Sequence, residues 1–298
     1  MSTIKGNEQV RSELKKIVQN DDVLHSYMFI GPEGIGKKEI AKEFAKQILC
    51  QTKKDNCSCK SCISFDSGNN PDFSLIQEDG NYIKIGQIRE LIEKVYEKPI
   101  ESDKKVYIID NSDKMNPEAQ NALLKTLEEP PEYIVIILIT SNADNILNTV
   151  KSRCIKVSFE KISDEDIKTI LNERGFNSNI DERMFELFNG SVARALNILE
   201  KKEDFTQLES FVNKVKERSK LDYLTENKSL FTKENISEYL EYAMVLFFNL
   251  GKKTNKVEYF NCVKIVQDTI NRLKSNANFD MSVDNMLLKI WEEANWKQ

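Results

Sequence analysis

The stretch SYMFIGPEGIGKKEIAKEFAKQILC (26–50) restricts what this chain can fold into more than any other. SYMFI is an apolar run of strand length that ends at Gly31. After the loop, Ile40, Ala41, Phe44, Ala45, Ile48 and Leu49 recur at helical spacing. Strand, glycine-rich turn, helix is the setting in which GPEGIGKK (31–38) reads as a phosphate loop rather than a chance match to G-x-x-x-x-G-K-[ST]. Its glycines let backbone N–H groups converge on phosphates at a helix N-terminus, and Lys37 would pair with the outer phosphates. The candidate nucleotide-binding residues here are Gly31, Gly34, Ile35, Gly36, Lys37 and Lys38. The last of them breaks the pattern. A hydroxyl belongs at that position to ligate magnesium, whereas the Lys38 ammonium can only donate hydrogen bonds. A glycine-rich turn without a ligand is the plain alternative, and it leaves Lys37 less well explained.

The second half of such a site is an acid at the end of a neighbouring strand. KKVYIID (104–110) reads as a buried strand ending at Asp110, but the next residue is Asn111, where a P-loop ATPase carries a general-base Glu. Asn cannot accept a proton, and loss of a general base typically costs about 10²–10⁴ in rate. Two parts of the hydrolysis machinery are therefore missing, which predicts weak or absent turnover and leaves ATP binding without hydrolysis open.

Up to about residue 158 strands and helices alternate, as in a parallel sheet with crossover helices. DFSLI (72–76) and EYIVIILITSN (132–142) are further strand runs, and IGQIRELIEKVYEKP (85–99) is helical. In MNPEAQNALLKTLEEPP (115–131), Asn116 is an N-cap, Pro117 opens the helix and Pro130–Pro131 stop it. From about residue 162 the strand signals end. Ser163 caps one helix, and GSVARALNILEKK (190–202) forms another. Three further helical stretches close the chain: ENISEYLEYAMVLFFNLG, with Leu240, Ala243, Met244, Phe247 and Phe248 stacked on one face, KVEYFNCVKIVQDTINRLK, and MSVDNMLLKIWEEANW ending at Trp296.

Four of the six cysteines fall within residues 50–62, spaced C-x6-C-x-C-x2-C. Four thiolates this close can form a closed tetrahedral zinc site, structural because no coordination position stays open. Cys50, Cys57, Cys59 and Cys62 are the candidate ligands, with free thiols and disulfides as the alternatives. Cys154 and Cys262 are isolated and read as small buried hydrophobes. The single histidine, His25, excludes any His-based triad or His-rich metal site. A net charge of −5 argues against a chain that grips DNA alone. No apolar run approaches the ~18 residues of a membrane span, and MSTIKGNEQVRSELKK does not resemble a signal peptide. The expected location is cytoplasmic.

HSYMFIGPEGIGKK, the four-cysteine insert after the loop helix, IIDNSDKMNPEAQNALLKTLEEPP, SNADNILNTVKSRC and GSVARAL occur in one order over residues 20–200. That assembly resembles the bacterial clamp-loader subunits of the AAA+ class, which belong to DNA polymerase III. The resemblance implies an α/β then all-α chain with three parts: an AAA+ P-loop parallel sheet over 1–160 carrying the zinc module 50–62, a helical lid over 161–203, and a helical collar for oligomerisation over 204–298. It implies that Arg153 is an arginine finger reaching a neighbour's ATP site. Asn142, with Thr140, matches the sensor-1 region and Arg194 the sensor-2 region, although Ala193 stands where glycine is usual. The cysteine spacing is also shorter than the family's C-x8-C-x2-C-x2-C. The implied partners are the gamma/tau and delta subunits, with the sliding clamp and primer-template DNA met through the complex, which as a whole is a DNA-directed DNA polymerase. Lys38 and Asn111 fit a stator of that hetero-oligomer rather than a gamma/tau motor. A motor ATPase with a different magnesium ligand and base, and a zinc-dependent nucleic-acid binder, are the competing functions.

Overall fold

The computed structural model describes residues 5–54, 57–176, 182–200 and 202–295. Residues 55–56 of the cysteine segment, 177–181 and 201 of the segment 161–203, and Trp296 lie outside that set. The chain divides into two compact units, Met1–Ser178 with Asn189–Arg194, and Asn179–Phe188 with Ala195–Gln298.

The first unit contains α1 (Glu8–Gln19), β1 (Ser26–Ile30), α2 (Lys37–Leu49), α3 (Lys60–Asp66), β2 (Phe73–Ile76), α4 (Ile85–Val95), β3 (Lys105–Ile109), α5 (Pro117–Glu128), β4 (Ile134–Thr140), α6 (Asn148–Lys151), β5 (Ile155–Ser158) and α7 (Asp164–Glu173). Its five strands are all parallel, in the order β2-β3-β4-β1-β5. Central strands covered on both faces must be apolar throughout, and every residue of β3 and β4 is buried. The alternation of side chains sorts their partners. Met28, Tyr107, Ile109, Ile134, Ile136 and Leu138 pack with Ile88 and Leu91 of α4 and with Ala119, Leu123 and Leu127 of α5. Tyr27 and Phe29 instead meet Phe44 of α2, at ring-centroid distances of 5.2 and 6.3 Å. Truncating a buried ring such as Phe44 typically costs about 3–5 kcal/mol.

The expected caps are in place. The Asn116 side chain accepts from the Ala119 N–H, Pro117 opens α5, and the Ser163 hydroxyl accepts from the Asp166 N–H at the start of α7. The edge strand β5 has no signal in the sequence because three of its four residues are exposed.

The second unit is helical: α8 (Glu182–Phe188), α9 (Val192–Glu200, whose first residues belong to the other unit), α10 (Lys202–Asn213), α11 (Lys220–Lys228), α12 (Ile236–Thr254), α13 (Val257–Lys274) and α14 (Phe279–Ala294). Phe211 joins three of these segments, stacking on Tyr223 and meeting Phe231 and Phe247 edge-on. One expectation for α12 fails. Phe248 is 42% exposed, lying against Phe260 and under the Lys252 ammonium, while Tyr242 takes a buried place on the helix. Consecutive residues on a helix point about 100° apart, and the covered face of α12 takes in Tyr239, Leu240, Tyr242, Ala243 and Phe247 but not Phe248. No helix among the described residues is long and apolar enough to cross a membrane.

Candidate functional site

The loop after β1 has the shape its sequence predicts. Gly36 adopts the left-handed conformation (φ 89°) and opens α2. Gly34 is constrained twice. Its φ is +75°, and a Cβ there would lie 2.1 Å from the Ser191 hydroxyl oxygen. Its carbonyl accepts from the Ala193 N–H at 3.2 Å, so the Ser191–Ala193 segment lies directly against the loop, next to the predicted Arg194. Ile35 is buried beneath the loop. Lys37 is buried as well and folds back, its Nζ donating to the Gly31 and Pro32 carbonyls at 2.6 Å each. Burial pushes its pKa down, opposed by the negative charges of Glu33, Asp110 and Asp113.

The next two predicted residues meet each other. The Lys38 ammonium pairs with Asp110 Oδ2 at 2.9 Å, with the Asp110 side chain only 10% exposed. The other carboxylate oxygen accepts the Asn111 N–H, and Gln77 Nε2 donates to Oδ2 at 3.4 Å. Asn111 itself sits in the left-handed region (φ 49°), and its side-chain amide donates to both oxygens of Glu78. Sequence reasoning missed Glu78, whose only signal is that it lies just beyond the end of β2. It cannot stand in for the absent base. A hydrogen bond from Lys114, helped by one from its own backbone and one from Asn111 and opposed by burial, holds its carboxyl down at about 2, and so acidic a group is a poor proton acceptor. The loop thus has the geometry of a phosphate cradle, and the carboxylate oxygen of Asp110 that faces it is engaged by the Lys38 ammonium.

Thr140, at the end of β4, donates to Asp113 at 2.8 Å and accepts from the Asn142 N–H. The Asn142 side chain accepts from the Asp144 N–H, capping the turn that follows. Arg153 lies apart from this group, just past α6. Its guanidinium pairs with Glu128 Oε1 at 2.6 Å and donates to the Thr149 carbonyl at 2.6 Å. One third of the side chain is exposed, in an open recess shared with His25, Leu127 and Ser152. A hydrogen bond from the Ser26 hydroxyl to the Arg153 carbonyl fixes its backbone to β1.

The four clustered cysteines converge. The sulfur atoms of Cys50, Cys57, Cys59 and Cys62 all lie within 4.8 Å of one another, and none is in a disulfide. A tetrahedron with 2.3 Å metal–sulfur bonds has edges of about 3.8 Å, so the cluster is the right size for a closed thiolate metal site. At Cys50, burial raises the thiol pKa, but hydrogen bonding from Thr52 and the neighbouring cysteines outweighs it and brings the value to about 6. An unforeseen network joins this module to the sheet. Asp72 is buried and accepts the N–H groups of Ile100, Glu101 and Ser102 at 2.7–2.8 Å, and Ser102 in turn bonds to Ser61 and to the Leu49 carbonyl. Cys262 is fully buried, as expected, and Cys154 is half-buried against the core.

A family profile described as "DNA polymerase III, delta subunit" matches residues 6–163. The chain is 30% identical over 295 residues to DNA polymerase III subunit delta' of Bacillus subtilis (strain 168), covering 95% of this chain and 88% of that protein. It is 36% identical over 187 residues to DNA polymerase III subunit gamma of Buchnera aphidicola subsp. Schizaphis graminum, covering 59% of this chain and about half, 51%, of that protein. A crystal structure of a DNA polymerase III gamma subunit-related protein from Thermotoga maritima superposes with a TM-score of 0.54 at 20% identity, covering 95% of this chain and 99% of that one. This last likeness is one of fold.

Proposed function

The chain belongs to the DNA polymerase III delta-prime family, clamp-loader subunits of the delta-prime/gamma/tau type, and from that premise we infer that it is the stator of its complex. It binds beside a gamma/tau motor, supplies Arg153 to that neighbour's ATP site, and hydrolyses no ATP itself. One observation carries this reading. Lys38 and Asn111 stand where a hydrolysing loop needs a magnesium-binding hydroxyl and a proton-accepting carboxylate, and Glu78, the carboxylate beside Asn111, is already engaged by the Asn111 amide and the Lys114 ammonium. Arg153 fits the donor role because its side chain is partly exposed while its backbone is anchored, so it can reach a neighbour without local unfolding.

In this reading residues 1–160 form the AAA+ module, 161–203 its lid and 204–298 the collar that holds the oligomer together. Cys50, Cys57, Cys59 and Cys62 hold a structural zinc ion that fixes α3 against the sheet. Gly31, Gly34, Ile35, Gly36 and Lys37 form the nucleotide cradle, with Asn142 and Arg194 at its margins. With gamma/tau and delta, the assembly loads the sliding clamp onto primer-template DNA in the cytoplasm. The test is reconstitution. The purified chain should copurify with gamma/tau and delta and raise their clamp- and DNA-dependent ATPase. Failure to join that complex would overturn the assignment.

A further inference from the structure

In P-loop NTPases magnesium is held by the residue after the loop lysine and by the acid at the end of the neighbouring strand. In this chain those two positions are Lys38 and Asp110, and they bond directly to each other. We propose that Lys38 is a built-in cation. Its ammonium takes the place beside Asp110 that a divalent ion takes in a hydrolysing site, so any phosphate ligand of this loop is held without magnesium. This deepens, and rests on, the reading of the loop as a cradle that does not hydrolyse.

Replacing the usual hydroxyl with a neutral residue would have left a nearly buried carboxylate without its counter-charge. Lysine both removes the metal ligand and neutralises the acid. Asp110 then has a donor on each oxygen: Oδ1 meets the Asn111 N–H at 3.1 Å, and Oδ2 meets Lys38 at 2.9 Å and Gln77 at 3.4 Å. Magnesium needs near-octahedral oxygen ligands at about 2.0–2.1 Å. To bind here it would have to displace the ammonium from the carboxylate, and the displaced charge would stay tethered nearby by its own backbone. With Lys38 committed to Asp110, Lys37 at the start of α2 is the positive charge that the cradle keeps for phosphates. What it lacks is a place for a metal.

The test is titration of the full chain and of Lys38→Thr with a fluorescent ADP analogue, with magnesium added or left out. No chelator is used, because it would also strip a metal from the cysteine cluster. The wild-type chain should respond identically in both conditions, whether it binds the analogue or not. Lys38→Thr should bind about tenfold more tightly with magnesium than without, equivalent to ~1.4 kcal/mol. A magnesium-dependent gain of that size in the wild type, or its absence in a folded Lys38→Thr, overturns the proposal. Should the variant not fold, Mn²⁺ on the wild type decides the matter: water-proton relaxation that ADP leaves unchanged supports the built-in cation, and an enhancement that appears only when ADP is added refutes it. Neither readout involves turnover, so ATP hydrolysis by the isolated chain would defeat the stator reading separately.

Discussion

Replacing Arg153 with alanine should abolish function while barely affecting the fold. The guanidinium makes one ion pair, to Glu128, and local hydrogen bonds to the Thr149 carbonyl and the Ser152 hydroxyl, and both partners of the pair are substantially exposed, at 33% and 48%. Exposed pairs of this kind contribute about 0–1 kcal/mol. The Arg153 backbone is held by Ser26 and Val150, contacts that do not involve the side chain. Arg153→Ala should therefore unfold within about 1 kcal/mol of the wild type and still assemble with gamma/tau and delta. Arginine fingers contribute about 10³–10⁵ in rate, so ATP turnover at the site this residue serves should fall by at least ~10³, or ~4 kcal/mol of activation free energy. The assay is steady-state phosphate release by the reconstituted complex with clamp and primed DNA, alongside urea denaturation of the isolated chain. Arg153→Lys separates charge from geometry and should remain severely impaired, because an ammonium lacks the planar fork of donors. Full stimulation by Arg153→Ala would refute the finger assignment. A stability loss of several kcal/mol would show that the residue serves the fold instead.

Metal analysis of the purified chain should find stoichiometric zinc, and Cys62→Ser should release it and lower the thermal midpoint; a metal-free wild type with the same midpoint would remove the structural role given to the cysteines. Asp72→Ala should destabilise the first unit by about 3–5 kcal/mol in urea denaturation, since it leaves three backbone N–H groups without their charged acceptor. The Glu78 carboxyl is held at about 2 against an ordinary 4.5. Its contribution is thus complete above pH ~4.5 and is lost as pH falls toward 2, amounting to ~1–2 kcal/mol after allowance for solvent screening. Glu78→Gln should flatten that part of the stability–pH curve, and an unchanged curve would show the Lys114–Glu78 pair to be idle.

The fold was legible wherever burial leaves a periodic trace. The runs read at 26–30, 104–110 and 132–142 became the central strands Ser26–Ile30, Lys105–Ile109 and Ile134–Thr140, and Asn116 and Ser163 capped the helices they precede. The exposed edge strand β5 left no such trace, and in α12 adjacent phenylalanines could not be ranked without knowing which face is covered. At the site, the types at positions 38, 110 and 111 were visible, but their contacts were not. The Lys38–Asp110 pair joins residues from the starts and ends of different elements, a relation set by the parallel order β3-β4-β1 rather than by spacing along the chain. Asp72 and Glu78 escaped for the same reason: their partners, Ile100–Ser102 and Lys114, are roughly thirty residues away. The cysteine cluster was readable because its four members lie within thirteen residues of one another.

Phosphate release by the isolated chain, supplied with ATP and magnesium and measured at steady state, is the most direct test of a stator. Turnover should not exceed the rate of ATP alone, with stimulation appearing only when the chain joins gamma/tau and delta. Sustained magnesium-dependent hydrolysis by the isolated chain, abolished by Lys37→Ala, would contradict the stator reading.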